Sequence, residues 1–252
     1  MTLESAQVNA IASANSNASG AALTPSIASS ITPSQISRGL DQLFAIAGGQ
    51  TLDTACDRFY FLRHGQTPRN ALRIYQGPDE PLSALGVQQA HAAASVLSHE
   101  PLAAIVSSNM ARAWQTAGIV AASPELAKLA VVPHAGLRER NFGTLNGSSS
   151  VNIDWAYSPE GGETLEAFVT RTRLGFGFAL THASPTLVVA HGGTLYVLMA
   201  LLKLELRLQL IGNAQPLLFQ RQSSGTWAVT PLGNDADAAG SPLAPSAAPN
   251  IS

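Results

Sequence analysis

Arg58-Phe59-Tyr60-Phe61-Leu62-Arg63-His64-Gly65 is the stretch on which the fold turns. Residues 58–62 form an apolar, aromatic-rich run bounded by polar sequence, and a run this short predicts a buried strand. A strand ending in Arg63-His64-Gly65 delivers two basic side chains to one end of a sheet. Further along, Ser83 is placed to cap a helix over Ala84–Leu97. Leu102–Val106 predicts a second strand, Ala111–Ala122 a second helix stopped by Pro124, and Leu129–Val132 a third strand. Glu163–Thr181 predicts a long helix, although Gly175 and Gly177 weaken its middle. Thr186–Ala190 is a fourth buried strand, and the apolar segment Thr194–Leu206 a helix after it. Leu217–Arg221 and Thr226–Thr230 flank Ser223-Ser224-Gly225 as a closing hairpin.

Strands alternating with helices predict an α/β domain of three layers, a mostly parallel sheet with helices on both faces. Chemistry in such sheets gathers beyond the carboxyl ends of the strands. Arg63-His64-Gly65, Ser107-Ser108 and His191-Gly192-Gly193 each follow a predicted strand, so two histidines far apart in sequence should emerge at the same edge.

Both ends of the 252-residue chain differ from this pattern. The first 37 residues contain no Lys or Arg and one acid, Glu4, and offer little large apolar surface to offset the entropy of ordering them. They also lack the charged start of a secretory signal and the arginines of a transit peptide. Residues 1–54 are therefore expected to be a disordered tail, with a short helix near Arg38–Ala47 as its one structured part. Deleting residues 2–50 should then leave catalysis nearly unchanged. Residues 233–252, rich in Ala, Pro and Ser, are expected to be a second disordered tail. The folded unit is read as 55–232, with 13 Lys and Arg against 11 Asp and Glu, a balance of +2. That is no field for nucleic acid or an anionic membrane. Cys56 is the single cysteine, which excludes an intrachain disulfide and a CxxC metal site. Leu195–Leu202, the longest apolar run, is too short for a bilayer. A cytoplasmic protein is expected, without nucleic-acid or membrane partners.

Arg63-His64-Gly65-Gln66-Thr67 with Asn70 resembles the signature of the histidine phosphatase superfamily, the phosphoglycerate mutase-like group of branch 1. Gln76-Gly77, then Pro81-Leu82-Ser83 and Gly86, are similar to the segment that follows it. Ser107-Ser108 with Arg112-Ala113 and Gln115-Thr116 resembles a second block, and Leu137-Arg138-Glu139-Arg140 with Phe142-Gly143 a third. Gly161-Gly162-Glu163-Thr164 and Val189-Ala190-His191-Gly192-Gly193 complete the order. Five blocks in sequence across 58–230 make the resemblance specific where the first tripeptide alone is weak.

The resemblance implies a metal-independent phosphoryl-transfer enzyme with no cofactor, acting on a small phosphomonoester. Its residue types suit that chemistry. A neutral imidazole, His64, is a good nucleophile near neutral pH and would form a phosphohistidine. Arg63 and Arg112 can fork onto the equatorial oxygens. His191 is expected to be protonated by anionic surroundings and to add a charged donor, and Glu139 to be the general acid. Glu163 or Glu160 could sit nearby and share that last role. By resemblance Asn70, Gln76, Gly77 and Gly192 bind phosphate or substrate. His91, His99, His134 and His182 are read as ordinary solvated histidines.

Hydrolysis is favoured over mutase transfer. Mutases of this superfamily carry a covering segment between the Glu block and the Gly-Glu block, and here Glu139 and Gly161 are 22 positions apart. Gln66 stands where the mutase pattern has Glu, Arg69 and Pro78 where it has Trp, and Gly193 where it has Asn. A mutase is the runner-up, and a non-catalytic phosphate-ligand-binding protein on the same fold is the third reading. Substrate choice is expected from residues 66–80, the 144–160 loop, and Trp155 or Tyr157. The sequence assigns no particular substrate and no oligomeric state.

Overall fold

A computed structural model of the chain describes residues 38–233; the stretches 1–37 and 234–252 lie outside the described residues. The strands are β1 (Arg58–Arg63), β2 (Ala104–Ser107), β3 (Val131–Pro133), β4 (Thr186–Ala190), β5 (Pro216–Arg221) and β6 (Trp227–Pro231). The helices are α1 (Leu40–Gly48), α2 (Pro68–Ala71), α3 (Ala84–Leu97), α4 (Ala111–Ala121), α5 (Leu165–Ala179) and α6 (Gly192–Leu201). The six strands form one sheet in the order β3-β2-β4-β1-β5-β6. β3, β2, β4 and β1 run parallel, whereas the closing hairpin β5-β6 adds two antiparallel edge strands beside β1.

The alternation of side chains along the strands separates two cores. Phe59, Phe61, Val188, Ala190 and Phe219 face α5 and α6, where they meet Phe176, Leu195 and Leu198. Tyr60, Leu62, Ile105, Leu187 and Val189 face α3 and α4. Those two helices present Ala90, Ala93, Ala94, Ala113 and Ala117, so their backbones lie close to the sheet. Ser83 caps α3 by accepting the Gly86 N–H, as its position predicts. Thr164 caps α5 in the same way, accepting the Ala167 N–H at 3.2 Å. Gly161-Gly162-Glu163 therefore precedes that helix rather than opening it. The last predicted helix ends early, since α6 stops at Leu201 and Lys203 turns into the left-handed region at φ 59°.

The tail boundary at residue 54 is corrected by α1. Leu40, Leu43 and Ala47 are buried in a third cluster with Leu165, Phe168 and Val169 of α5 and Val197, Ala200 and Leu201 of α6. Their i, i+3, i+7 spacing is the apolar stripe of a core-facing helix. Low-complexity sequence on its N-terminal side obscures it in the sequence. Burying a leucine stabilises by roughly 1.5–3 kcal/mol, so deletion through residue 50 is expected to cost stability, whatever its effect on catalysis. Among the described residues, no helix is long and apolar enough to cross a membrane.

Candidate active site

Parallel pairing of β1 with β4 places Arg63 opposite Ala190, so Arg63-His64 and His191 leave the sheet side by side. The His64 N–H still donates to the Ala190 carbonyl at 3.0 Å, continuing the ladder one residue past the strand. The turn after it is fixed from several directions. Asn213 Nδ2 donates to the His64 carbonyl (2.9 Å), and the Gly65 N–H to Thr116 Oγ1 (3.1 Å). Gly65 and Gly86 pack back to back: a Cβ at Gly65 would collide with the Gly86 carbonyl, and one at Gly86 with that of Gln66. The absence of both side chains brings the start of α3 against the His64 turn.

His64 is 3% exposed, and its ring is fixed at both nitrogens. Nδ1 lies 2.7 Å from the Gly65 carbonyl, which can only accept, so Nδ1 carries the proton. Nε2 is left with its lone pair and accepts from Arg112 Nε at 3.2 Å. Arg112, itself 2% exposed, also donates from Nη1 to the Gly77 carbonyl at 2.9 Å. Arg63 donates from Nη1 to the Ile211 carbonyl at 2.6 Å, while its buried Nε has no partner among the described residues. The His191 ring lies 5.1 Å from the His64 ring, centre to centre. Its Nε2 is 2.8 Å from Ser108 Oγ, and its buried Nδ1 is unpartnered.

This assembly of buried cations holds both imidazoles neutral. Burial, reinforced by the charges of Arg112 and Arg63, pushes His64 well below the ordinary imidazole value, against the hydrogen bond to Gly65. Burial does the same to His191, with Arg112, His64, Arg63 and Arg171 adding to it. The expectation of a protonated His191 is thereby corrected: its surroundings are cationic. Arg112 is lowered by burial to about 10, opposed by Glu139, and stays charged at neutral pH.

A cavity of about 300 Å³ opens here, lined by Arg63, His64, Asn70, Gln76, Arg112, Glu139 and Gly192 of the predicted set. His191 and Gly77 stand outside its lining, one behind His64 and the other under Arg112. Glu139 enters from the segment before α5 and is held by backbone alone. Its Oε2 accepts the Gly193 N–H and its Oε1 the Arg140 N–H, each at 2.9 Å. Glu163, the competing candidate, is committed elsewhere. It receives Arg171 at 2.7 and 2.8 Å and the Asn141 N–H at 2.9 Å. Burial pushes its carboxyl up, but those hydrogen bonds and the charges of Arg171 and Arg140 bring it below the usual range. Glu160 does not line the cavity.

The outer wall is made by two loops stitched together. The Tyr75 N–H donates to the Ser148 carbonyl, Gly147 N–H to that of Tyr75, and Ser150 N–H to that of Arg73, at 2.7–2.9 Å. Trp155 stands in this wall, 3% exposed, and Tyr157 is 54% exposed outside it. Sequence reasoning left several participants unassigned: Tyr75, Tyr196 and Arg73 in the lining, Ser108 and Asn213 behind the histidines, and buried Arg140. Ser108 and Arg140 stand within the quoted motifs and were findable there. Tyr196 is hidden in an all-apolar helix with no polar face to mark it. No group of three or more His, Cys, Asp and Glu among the described residues is placed to hold a metal ion.

Residues 59–215 match the model of the histidine phosphatase superfamily (branch 1), and the chain belongs to that family. Among solved structures, it resembles a mycobacterial glucosyl-3-phosphoglycerate phosphatase in complex with VO3. The two are 30% identical with a TM-score of 0.57, over 69% of this chain and 97% of the other. The same mycobacterial phosphatase in complex with inorganic phosphate aligns at 30% identity and a TM-score of 0.55. It covers 69% of this chain and 96% of that one. An agropine synthesis reductase of Rhizobium rhizogenes is 33% identical over 176 residues, 65% of this chain. A probable phosphoglycerate mutase of Yersinia pestis is 40% identical over 87 residues, 34% of this chain. Each of those two matches spans 39% of the relative's own length.

Proposed function

We propose that this chain hydrolyses a small phosphomonoester, without a metal ion, through a phosphohistidine formed at Nε2 of His64. The observation that carries the reading is the state of His64. Its proton is fixed on Nδ1 by the Gly65 carbonyl, it is held neutral, and its free lone pair meets Arg112 in a cavity with one carboxylate. A phosphate oxygen replaces Nε2 as the acceptor for Arg112 Nε. Arg63 Nε, which lacks a partner in the unliganded protein, supplies a further donor from the lining, while His191 stands beside His64 outside it. Nε2 then attacks phosphorus as the bond to the leaving oxygen breaks, and that oxygen takes its electron pair and a proton from Glu139. In the second step the Glu139 carboxylate accepts a proton from water, whose oxygen bonds to phosphorus as the N–P bond breaks. Free phosphate and neutral His64 are restored.

Hydrolysis is preferred to mutase transfer because, among the described residues, the outer wall of the cavity is two short stitched loops, around Arg73–Tyr75 and 147–155. The partial match to a phosphoglycerate mutase keeps transfer as the second reading. The test is phosphate release from p-nitrophenyl phosphate in EDTA, comparing the wild-type chain with His64→Ala. Release by the wild type alone, with an acid-labile, base-stable phosphoryl label on the protein, is expected. Equal release by His64→Ala would overturn the reading. Isomerisation of a phosphoglycerate without phosphate release would replace it by the mutase.

A further inference from the structure

We propose that Gly193 is a positioning residue for the general acid, an assignment that rests on the hydrolytic reading above. Two independent features of this residue converge on Glu139. Its N–H, in the first turn of α6, donates to Glu139 Oε2 at 2.9 Å. Its missing side chain leaves the space that the carboxylate occupies, because a Cβ built there would collide with Glu139 Oε1. The same Cβ would come within 2.7 Å of the Trp155 ring carbon Cη2. Gly192 differs, since a Cβ there meets only Arg63 and Ile211 atoms at 3.6–3.8 Å, which is ordinary contact.

The requirement at position 193 is therefore for space and a donor rather than for backbone conformation; its φ is not in the left-handed region. Gly193 and Arg140 together hold both carboxylate oxygens by backbone N–H groups, with no cationic side chain bonded to the acid. This leaves Glu139 free to cycle between acid and base without breaking an ion pair, and it seats the carboxylate against the cavity wall beside Trp155. In this chain, where Trp155 borders the same space, a larger residue at 193 displaces the acid from the leaving oxygen while leaving His64, Arg63 and Arg112 in place.

The leaving group distinguishes this from a general structural defect. A p-nitrophenolate departs without help, whereas an alkoxide needs the proton, and kcat/KM reports the step in which that bond breaks. For Gly193→Ala, kcat/KM on glycerol 2-phosphate should fall by about 10²–10³ and on p-nitrophenyl phosphate by less than about fivefold. Glu139→Ala should show the same split, and the Gly193→Ala/Glu139→Ala double variant should lose no more than Glu139→Ala does. Equal losses on both substrates would overturn the inference while leaving the hydrolytic reading intact. Failure of the wild type on both substrates would remove the reading and the inference together. If Gly193→Ala does not fold, the double variant decides. Recovery of a folded protein with the rates of Glu139→Ala supports the assignment. A double variant as damaged as Gly193→Ala shows that the space is needed for packing and overturns it.

Discussion

Two clusters of buried and half-buried charge stand on either side of Glu139, and they are built in opposite ways. On one side Arg140 and Arg171 are fully engaged. Arg140 donates to the carbonyls of Trp155, Tyr157 and Glu163, and Arg171 pairs with the Glu163 carboxylate. On the other side Arg63 and Arg112 accompany two neutral imidazoles with no acid in salt-bridge range among the described residues; each donates to a backbone carbonyl, but Arg63 Nε and His191 Nδ1 have no partner. Buried polar groups are normally satisfied, and leaving them unpaired costs stability. The paired cluster therefore belongs to the architecture, and on the proposed reading the cluster without an acid partner is set up for an anionic ligand. Sequence alone shows arginine in both places; only the partners separate them.

The comparison breaks if the two clusters answer alike to losing a cation. Arg112→Met should lower phosphate release by about 10³ or more, yet shift the urea unfolding free energy by less than about 1 kcal/mol, because relief of a buried charge with no acid partner offsets the one carbonyl, that of Gly77, left without its donor. Arg140→Met should do the reverse. Three carbonyls lose their donor, which costs about 2–4 kcal/mol in the same unfolding experiment.

Acid sharpens the contrast. His64 and His191 in the folded protein lie well below the ordinary imidazole value of about 6.5. As pH falls beneath that value, the unfolded chain binds protons that the folded protein refuses. Their contribution is thus fully present above about pH 6.5 and declines below it, by up to about 1.4 kcal/mol per pH unit for each ring. Urea unfolding between pH 7 and 5 should show this slope, and His191→Asn should reduce it. An unchanged slope would mean that these rings are not held neutral.

The smallest effect is expected at Glu163→Gln. Its carboxylate and Arg171 are each about a quarter exposed, 22% and 26%, so solvent screens the pair. The change should cost about 1 kcal/mol in unfolding, with phosphate release within about twofold of wild type. A large rate loss with unchanged stability would return Glu163 to the list of acids.

What was legible in the sequence follows physical lines. The strands β1 and β4 and the helices α3 and α4 are visible because their apolar runs and caps are local signals. The convergence of His64, Arg112, Glu139 and Gly192 on one cavity was legible through the ordered motifs. The neutral state of His191 was not, since it depends on which charges surround a ring brought in from another strand. Nor was the burial of α1, whose partners lie more than a hundred residues away in α5 and α6. Trp155 and Tyr157 could not be told apart, because loop residues carry no periodicity to say which faces inward.

The strand order has a consequence for how the protein comes into being. β4 lies between β2 and β1, yet it is the fourth strand to be made. Between the making of β2 and that of β4 a chain emerging from the ribosome carries β1 and β2 with the central place between them unfilled, and both exposed edges are open to wrong pairing. Insertion of residues 186–190 closes that gap, and in the same event carries His191 and the start of α6 up to His64. The two histidines are therefore brought together only once β4 pairs with β1. Ile211 and Asn213, which hold Arg63 and the His64 turn, and the hairpin β5-β6 follow later still, so phosphate release in a translation mixture should appear only after residues 186–231 have left the exit tunnel.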